Sequence, residues 1–377
     1  MYNPIAPGDS ISSTWGNAVE KALGYGTPAQ HGRYVIWKDT AAGTHYARDG
    51  TTGERTENDN LADLINEKIL ALYDGGIGVG LGGSILLKAG NYSLNKTINM
   101  KPGVSLVGEG RGSKTIIVST SLFATADICM VKFDPPTVAN SAIYGGLSDM
   151  RICGNGDVVT SYPIIDINPS IDQRYGDLLL LRLGVMFGKY GLRINNNTAT
   201  HSLLNIFVDH CYFEQATYNG ILVDSPSDQG IYQCRFTSNH FYGNCASGGN
   251  GGLEIDGHET RGGVIASNTF ELEKANGIYL ADEADGWVIG NNVIIDAGQK
   301  TDNTYSGIKL VDVDLCSITG NVSIYRANNK MKYGYEADNN CTYLAVLGNV
   351  FKGQTAGASY GTGTGNIGDA TMNVDTT

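Results

Sequence analysis

Basic side chains are in short supply. The 377 residues carry 26 Lys and Arg against 38 Asp and Glu, a formal net charge of −12 at pH 7. A chain of that sign is a poor partner for nucleic acid and for anionic membranes, whose phosphates repel it. Long hydrophobic runs are missing too, since nothing approaches the ~18 consecutive apolar residues of a membrane span. The opening MYNPIAPGDS has neither the basic start nor the apolar stretch of a secretory leader, so no signal peptide is expected. The seven cysteines (129, 153, 211, 234, 245, 316 and 341) form no C-x-x-C pair. An odd number without such pairs argues against a disulfide framework and a zinc site, and for thiols in the core. The six histidines never stand four apart, which removes the helical zinc-hydrolase motif.

With 41% hydrophobic and 17% charged residues, the chain can still bury a sizeable core. Its 51 Gly are about twice the average frequency, and 32 Asn and 21 Tyr accompany them. Turn-forming Gly and Asn spread between short runs of Val, Ile, Leu and Phe predict many short strands at regular spacing.

Two markers repeat along the chain. Asn239, Asn268, Asn291, Asn321 and Asn349, with His210 as a degenerate first member, recur at intervals of 29, 29, 23, 30 and 28. Apolar residues stand three before each (Phe207, Phe236, Ile265, Val288, Ile318, Val346). Two after each come Tyr212, Phe241, Phe270, Val293, Ser323 and Phe351, where only Ser323 breaks the column. The second marker pairs Gly with an apolar residue: Gly220-Ile221, Gly252-Leu253, Gly277-Ile278, Gly307-Ile308 and Gly334-Tyr335. A unit this short, with two or three strands, cannot bury its apolar face alone, so neighbours must stack as a solenoid of β-coils. Stacked coils sit ~4.8 Å apart, and an Asn repeated at a turn is expected to bond the next coil as an amide ladder. Propeller blades are longer, and the L-x-x-L-x-L signature of leucine-rich repeats is absent.

Upstream, GGSILLKAGNYSLNKTINMKPGVSLVGEGRGSKTIIV (residues 82 to 118) reads as three short strands broken at Ala89-Gly90, Pro102-Gly103 and a Gly-rich turn. This stretch resembles the first coils of right-handed parallel β-helix proteins of the pectate-lyase-like superfamily. The likeness spans roughly residues 60 to 353. Asn60 and Asp63 can cap a helix carrying Leu61, Leu64, Ile65, Ile69 and Leu72 on one face. Similar proteins use such a helix to plug the open end of the stack. PGDSISSTWGN (residues 7 to 17) resembles N-terminal segments of phage and virus tail proteins, and residues 33 to 56 suggest a hairpin with turns at Ala42-Gly43 and Asp49-Gly50. The expected organisation is an N-terminal segment with a small hairpin over 1–60, a capping helix and linker over 61–81, an all-β parallel β-helix over 82–352 and a Gly/Thr-rich tail over 353–377.

Alternation along strands sorts inward from outward residues. After the Gly marker, Leu222, Glu254, Tyr279, Lys309 and Glu336 face outward, followed by Asp224, Asp256, Ala281, Val311 and Asp338. Glu254, Asp256, Tyr279 and Lys309 therefore share a patch, with His258, Glu259, Arg261, Asp282 and Glu283 on the turns just beyond. The pattern fits a solvated sheet face with ordinary charges. It also fits a groove for a polysaccharide, the substrate class that the resemblance implies. Hydrolysis would use paired carboxyls, Glu254 or Asp256 against Glu283 or Asp282. Lyase β-elimination would need the uronate carboxylate neutralised by Ca²⁺ or a basic side chain, with Lys309, His258, Arg261 or Tyr279 taking the C5 proton.

No run matches the Ca²⁺-binding and catalytic signatures of characterised lyases, so these assignments rest on position alone. The resemblance favours a lyase, whereas the net charge favours a neutral sugar chain. A non-catalytic adhesin or structural rod is the alternative class. Glu271, Glu273 and Lys274, near Asp296 and Glu214, form a second outward row that reads as a solvated face. Proteins of this kind act outside cells or on virions and are often trimers, which would place a site between chains. GEGRGSKT (Gly108 to Thr115) misses the phosphate-loop spacing, and DEADG (Asp282 to Gly286) is too short for a twelve-residue calcium loop.

Overall fold

The computed structural model describes residues 33–39, 43–73, 82–112, 114–120, 129–133, 145–155, 162–168, 176–196, 202–226, 230–326, 331–354, 356–361 and 374–375. The tail-like motif at 7–17 and most of the Gly/Thr-rich end lie outside these residues. The described chain winds into three long sheets of 13, 11 and 10 strands, with a small fourth sheet of three. Each coil gives one strand to the first, then the second, then the third sheet. Gly83–Leu87, Gly90–Leu94 and Ile98–Met100 form the first complete set, and Val104–Gly108 returns to the first sheet to pair in parallel with Gly83–Leu87. The stretch read as three strands over 82–118 therefore holds five, because Ile98–Met100 and Thr115–Ser119 are also extended.

The N-terminal hairpin joins this scaffold. Arg33–Lys38 pairs antiparallel with His45–Asp49, which pairs antiparallel with Arg55–Asn58. On its other edge Arg33–Lys38 runs parallel to Gly83–Leu87, so the hairpin extends the first sheet. Helix α1 (Leu61–Tyr73) follows and covers this end. Asn60 caps it as expected, its Oδ1 accepting from the backbone N–H of Ala62 at 3.0 Å and of Asp63 at 3.2 Å. Leu61, Leu64, Ile65, Ile69 and Leu72 are all buried.

The core is a set of apolar columns, one behind each sheet. In the third sheet, Leu192, Ile221, Leu253, Ile278, Ile308 and Tyr335 follow one another in register. In the second, Val185, Phe213, Phe241, Phe270 and Ile294 do the same. The Phe213–Phe241 and Phe241–Phe270 rings stack at 5.3 and 4.5 Å. All seven cysteines are free and six are buried, as core thiols.

The asparagine ladder is present, one residue away from the predicted position in two coils. Asn239, Asn268, Asn292, Asn321 and Asn349 are buried. Each Oδ1 accepts the backbone N–H of the preceding rung at 2.8–3.0 Å, and each Nδ2 donates to a carbonyl of that same preceding coil at 2.8–2.9 Å. Asn292, not Asn291, is the third rung, and Cys211, not His210, donates the first bond from its backbone N–H. Asn291 and His210 instead occupy the position before the rung. There His210, Ser238, Ser267, Asn291, Gly320 and Gly348 all have φ between 53° and 67°. The inward columns shift accordingly, with Val208 and Ile289 inside in place of Phe207 and Val288, and Phe213 and Ile294 in place of Tyr212 and Val293. Ser323 does break its column, buried among apolar side chains with its Oγ 3.3 Å from Met331 Sδ.

The corrected register makes a test. Asn292→Ala leaves the Asn268 N–H and the Ile265 carbonyl without partners, at an expected cost of about 2–4 kcal/mol. Asn291→Gly keeps a residue suited to positive φ and should be near neutral. Chemical denaturation of both variants checks this, and equal effects would contradict the ladder as placed.

Candidate active-site face

The outer face of the third sheet collects the chemistry. Its strands Pro163–Ile167, Tyr190–Asn195, Ile221–Ser225, Gly251–Gly257, Asn276–Ala281, Ile308–Val311 and Tyr333–Ala337 stack in parallel. The outward row runs Asp166, Arg193, Leu222, Glu254, Tyr279, Lys309 and Glu336, each directly paired with the next. Asp224 and Asp256 pair in the adjacent row. The Gly-plus-apolar marker thus gave the register of this sheet correctly.

Several of these groups are held. Glu254 is buried and accepts three hydrogen bonds, from Asn219 Nδ2 at 2.5 Å and from the backbone N–H and Nδ2 of Asn250, both at 2.7 Å. Glu336 accepts from Ser306 Oγ at 2.6 Å and Lys332 Nζ at 2.9 Å, with Lys309 Nζ 3.7 Å away. Burial pushes the Glu336 carboxyl up, but these hydrogen bonds and the two ammonium charges outweigh it and hold the group below the usual glutamate value. Lys309, Val311, Glu336, Asp338, Asn339 and Asn340 line an open concavity of about 500 Å³ on this face.

Asp256 is different. Half-buried, it lies among Asp282, Glu254 and Asp224, and its pKa is raised to about 6, by burial first and then by those three negative neighbours. Burial likewise raises Asp224. Tyr279 is pushed up to about 12, by burial and then by Glu254, Asp256, Asp282 and Asp338, so its hydroxyl stays protonated.

The turn residues divide. Asp282 and Glu283 follow the Asn276–Ala281 strand in left-handed backbone, at φ 51° and 64°. Glu283 Oε2 lies 3.2 Å from His258 Nδ1, so these two meet across neighbouring turns. Arg261 instead engages Glu259 at 3.0 Å and Asp285 at 3.9 Å in the short fourth-sheet strand Thr260–Arg261. Among the described residues, no three His, Cys, Asp or Glu side chains are arranged to hold a metal ion.

Sequence reasoning missed the upstream part of the row. Asp166 is buried and forms a two-pronged ion pair with Arg193, at 2.8 and 2.9 Å. These coils precede the asparagine repeat, so no marker aligned them. It also missed Lys332 and the Asn219–Asn250 clamp, which sit on turns. The second outward row needs one correction: Glu273 points inward. It is fully buried, and Asn244 donates to it from its backbone N–H and from Nδ2, both at 3.1 Å. Burial raises its pKa to about 8.

Comparison with known proteins agrees with this architecture. The Dettilon tailspike protein superposes with a TM-score of 0.50 at 14% identity, over 87% of this chain and 68% of that one. A mutant tailspike of Escherichia coli bacteriophage HK620 in complex with a pentasaccharide gives 0.49 at 13% identity, over 85% and 63%. The mannuronan C-5 epimerase A-module of Azotobacter vinelandii gives 0.45 at 15%, over 84% and 96%. The protein is a right-handed parallel β-helix. A family model described as "Periplasmic copper-binding protein (NosD)" matches residues 171–375, more than half of the sequence, and the chain belongs to that family. No curated protein matches it in sequence.

The raised pKa of Asp256 has a consequence for stability. A carboxyl whose folded pKa lies above its unfolded value of 3.8 favours the fold below that value, and the contribution is lost as pH rises through about 6. Asp256→Asn removes the like-charge repulsion. Its thermal midpoint should therefore exceed that of the parent at pH 8, with the difference vanishing or reversing at pH 4. A pH-independent difference in thermal scans would contradict the cluster.

Proposed function

We propose that the third-sheet face binds and cleaves a polysaccharide by hydrolysis, with Asp256 as the proton donor. The observation that carries this reading is a carboxyl poised near pH 6 between the carboxylates of neighbouring coils. In such a reaction the protonated acid gives its proton to the glycosidic oxygen as the bond to the anomeric carbon breaks. A second carboxylate activates water or stabilises the positive charge on the sugar. Asp282 and Asp224 are the candidates for that second group. Glu254, fixed by Asn219 and Asn250, acts on Asp256 through its charge, and the protonated Tyr279 offers a ring edge and a hydroxyl to a sugar.

Elimination is less well supplied. Lys309 stands beside the Glu336 carboxylate, and the Tyr279 proton is held well above neutral pH. His258 and Arg261 face Glu283 and Glu259. A chain of net charge −12 also favours a neutral polymer over a polyuronate. Such polymers are extracellular or surface-borne, which would put the protein outside the cell or on a virion.

The family description names copper, and the described residues do not fit it. Copper prefers thiolate, thioether and imidazole ligands. The thiols of Cys211, Cys234, Cys316 and Cys341 are pushed up to about 12 by burial, so they are protonated and enclosed.

Incubation with a panel of neutral and uronate polysaccharides, with and without Ca²⁺, tests the proposal. New reducing ends without the ultraviolet absorbance of a C4=C5 double bond are expected, and Asp256→Asn should lower turnover by at least 10²-fold, in line with loss of a general acid, with the fold intact. Reducing ends accompanied by that absorbance would mean a lyase. Neither signal across a broad panel would leave a binding rod.

A further inference from the structure

A second cluster lies on a different face. The outer row of the second sheet runs Arg151, Gly184, Tyr212 and His240, each directly paired with the next. At Gly184 the row has no side chain, and the gap is flanked by two arginines. A Cβ built there would stand 3.5 Å from Arg151 Cγ and 3.6 Å from Arg111 Cγ. Arg111 comes from the turn after Val104–Gly108 and reaches down the stack to donate from Nη1 to the His210 carbonyl at 2.6 Å. The aliphatic stems of two arginines thus cover the buried Gly184, and their charged ends lie beyond it on a chain that is otherwise strongly acidic.

The surface beyond Gly184 is aromatic. The His240 ring meets Tyr212 edge-on at 5.0 Å and Tyr242 at 6.5 Å. Two polar atoms here are covered yet have no hydrogen-bond partner, Arg151 Nε and His240 Nε2. His240 Nε2 is 3.7 Å from Glu271 Oε2, beyond hydrogen-bonding reach. Glu271 is in turn approached by Arg326 at 3.5 Å. Covered polar groups left unpaired are uncommon and call for a partner. Paired guanidinium groups select a planar carboxylate, and aromatic rings with nearby acceptors suit the faces and hydroxyls of a sugar ring.

We infer that this patch is a second saccharide site, separate from the third-sheet face, for a sugar residue that carries a carboxylate. The acid group would meet the guanidinium ends of Arg111 and Arg151 outside Gly184, and the ring would lie over Tyr212 and His240. This goes beyond the hydrolytic reading, which concerns a neutral polymer on another sheet, and stands whether or not that reading holds.

Calorimetric titration of the full chain at low ionic strength with trigalacturonate, maltotriose and inorganic phosphate tests it. Trigalacturonate should bind, weaken as salt is added, and weaken at least tenfold in Gly184→Leu and in Arg151→Gln. A Cβ at position 184 meets only ordinary contacts, at 3.5–3.7 Å, and circular dichroism of Gly184→Leu and Arg151→Gln shows whether each variant keeps the parent fold. No binding of trigalacturonate to the parent, or equal binding to Gly184→Leu, would overturn the site. Equal binding of maltotriose would overturn carboxylate recognition, and equal, competing binding of phosphate would reduce the site to a general anion patch.

Discussion

Everything in this molecule depends on one coil settling in register on the next. The parallel hydrogen bonds of the three sheets supply most of that contact, but backbone pairing alone does not fix register. Side chains do. The buried asparagines tie each rung to both neighbours, and the glycine before each third-sheet apolar residue sets the depth of packing. A Cβ at Gly220 would come within 2.8 Å of Phe241, and one at Gly277 within 2.8 Å of Ile294. Those positions admit only a hydrogen, so the strand that follows cannot slip without a clash against the second sheet.

Fixed register has an electrostatic price. Outward residues of successive coils are stacked ~4.8 Å apart, and like charges in such a file repel through a partly desolvated surface. The protein relieves this in two ways. Opposite charges are interleaved where Asp166 meets Arg193 and where Lys309 and Lys332 meet Glu336. The charged neighbours acting on Asp256 are the acids Asp282, Glu254 and Asp224, and it keeps its proton to a higher pH. Burial on a rigid face, with repulsion added to it, is how a sheet of ordinary acids keeps a proton above the usual carboxylate range.

Much of this was legible in the sequence, for physical reasons. The glycine marker carried the third-sheet register because a close approach forbids any other residue, so the outward row from Glu254 to Glu336 came out correctly. The asparagine marker slipped where two candidates stand side by side. Asn291 suits the left-handed backbone position as well as Asn292 suits the rung, and the spacing of that coil is shorter. At the top of the ladder Cys211 donates its backbone N–H to Asn239 Oδ1, with no side-chain signal at all. Glu273 was read as outward because a carboxylate is rarely buried, yet Asn244 supplies two donors inside the turn. The Asp166–Arg193 pair and the arginines beside Gly184 lie in coils without either marker, where only the fold could align them.

The central claim is that burial, reinforced by neighbouring carboxylates, holds a proton on Asp256. Residue-resolved carbon-13 NMR titration of its carboxyl, in the parent and in Asp282→Asn, measures this directly. The account predicts a midpoint near pH 6 in the parent and a clear fall in the variant. A midpoint at the ordinary aspartate value, unmoved by the loss of Asp282, would contradict it.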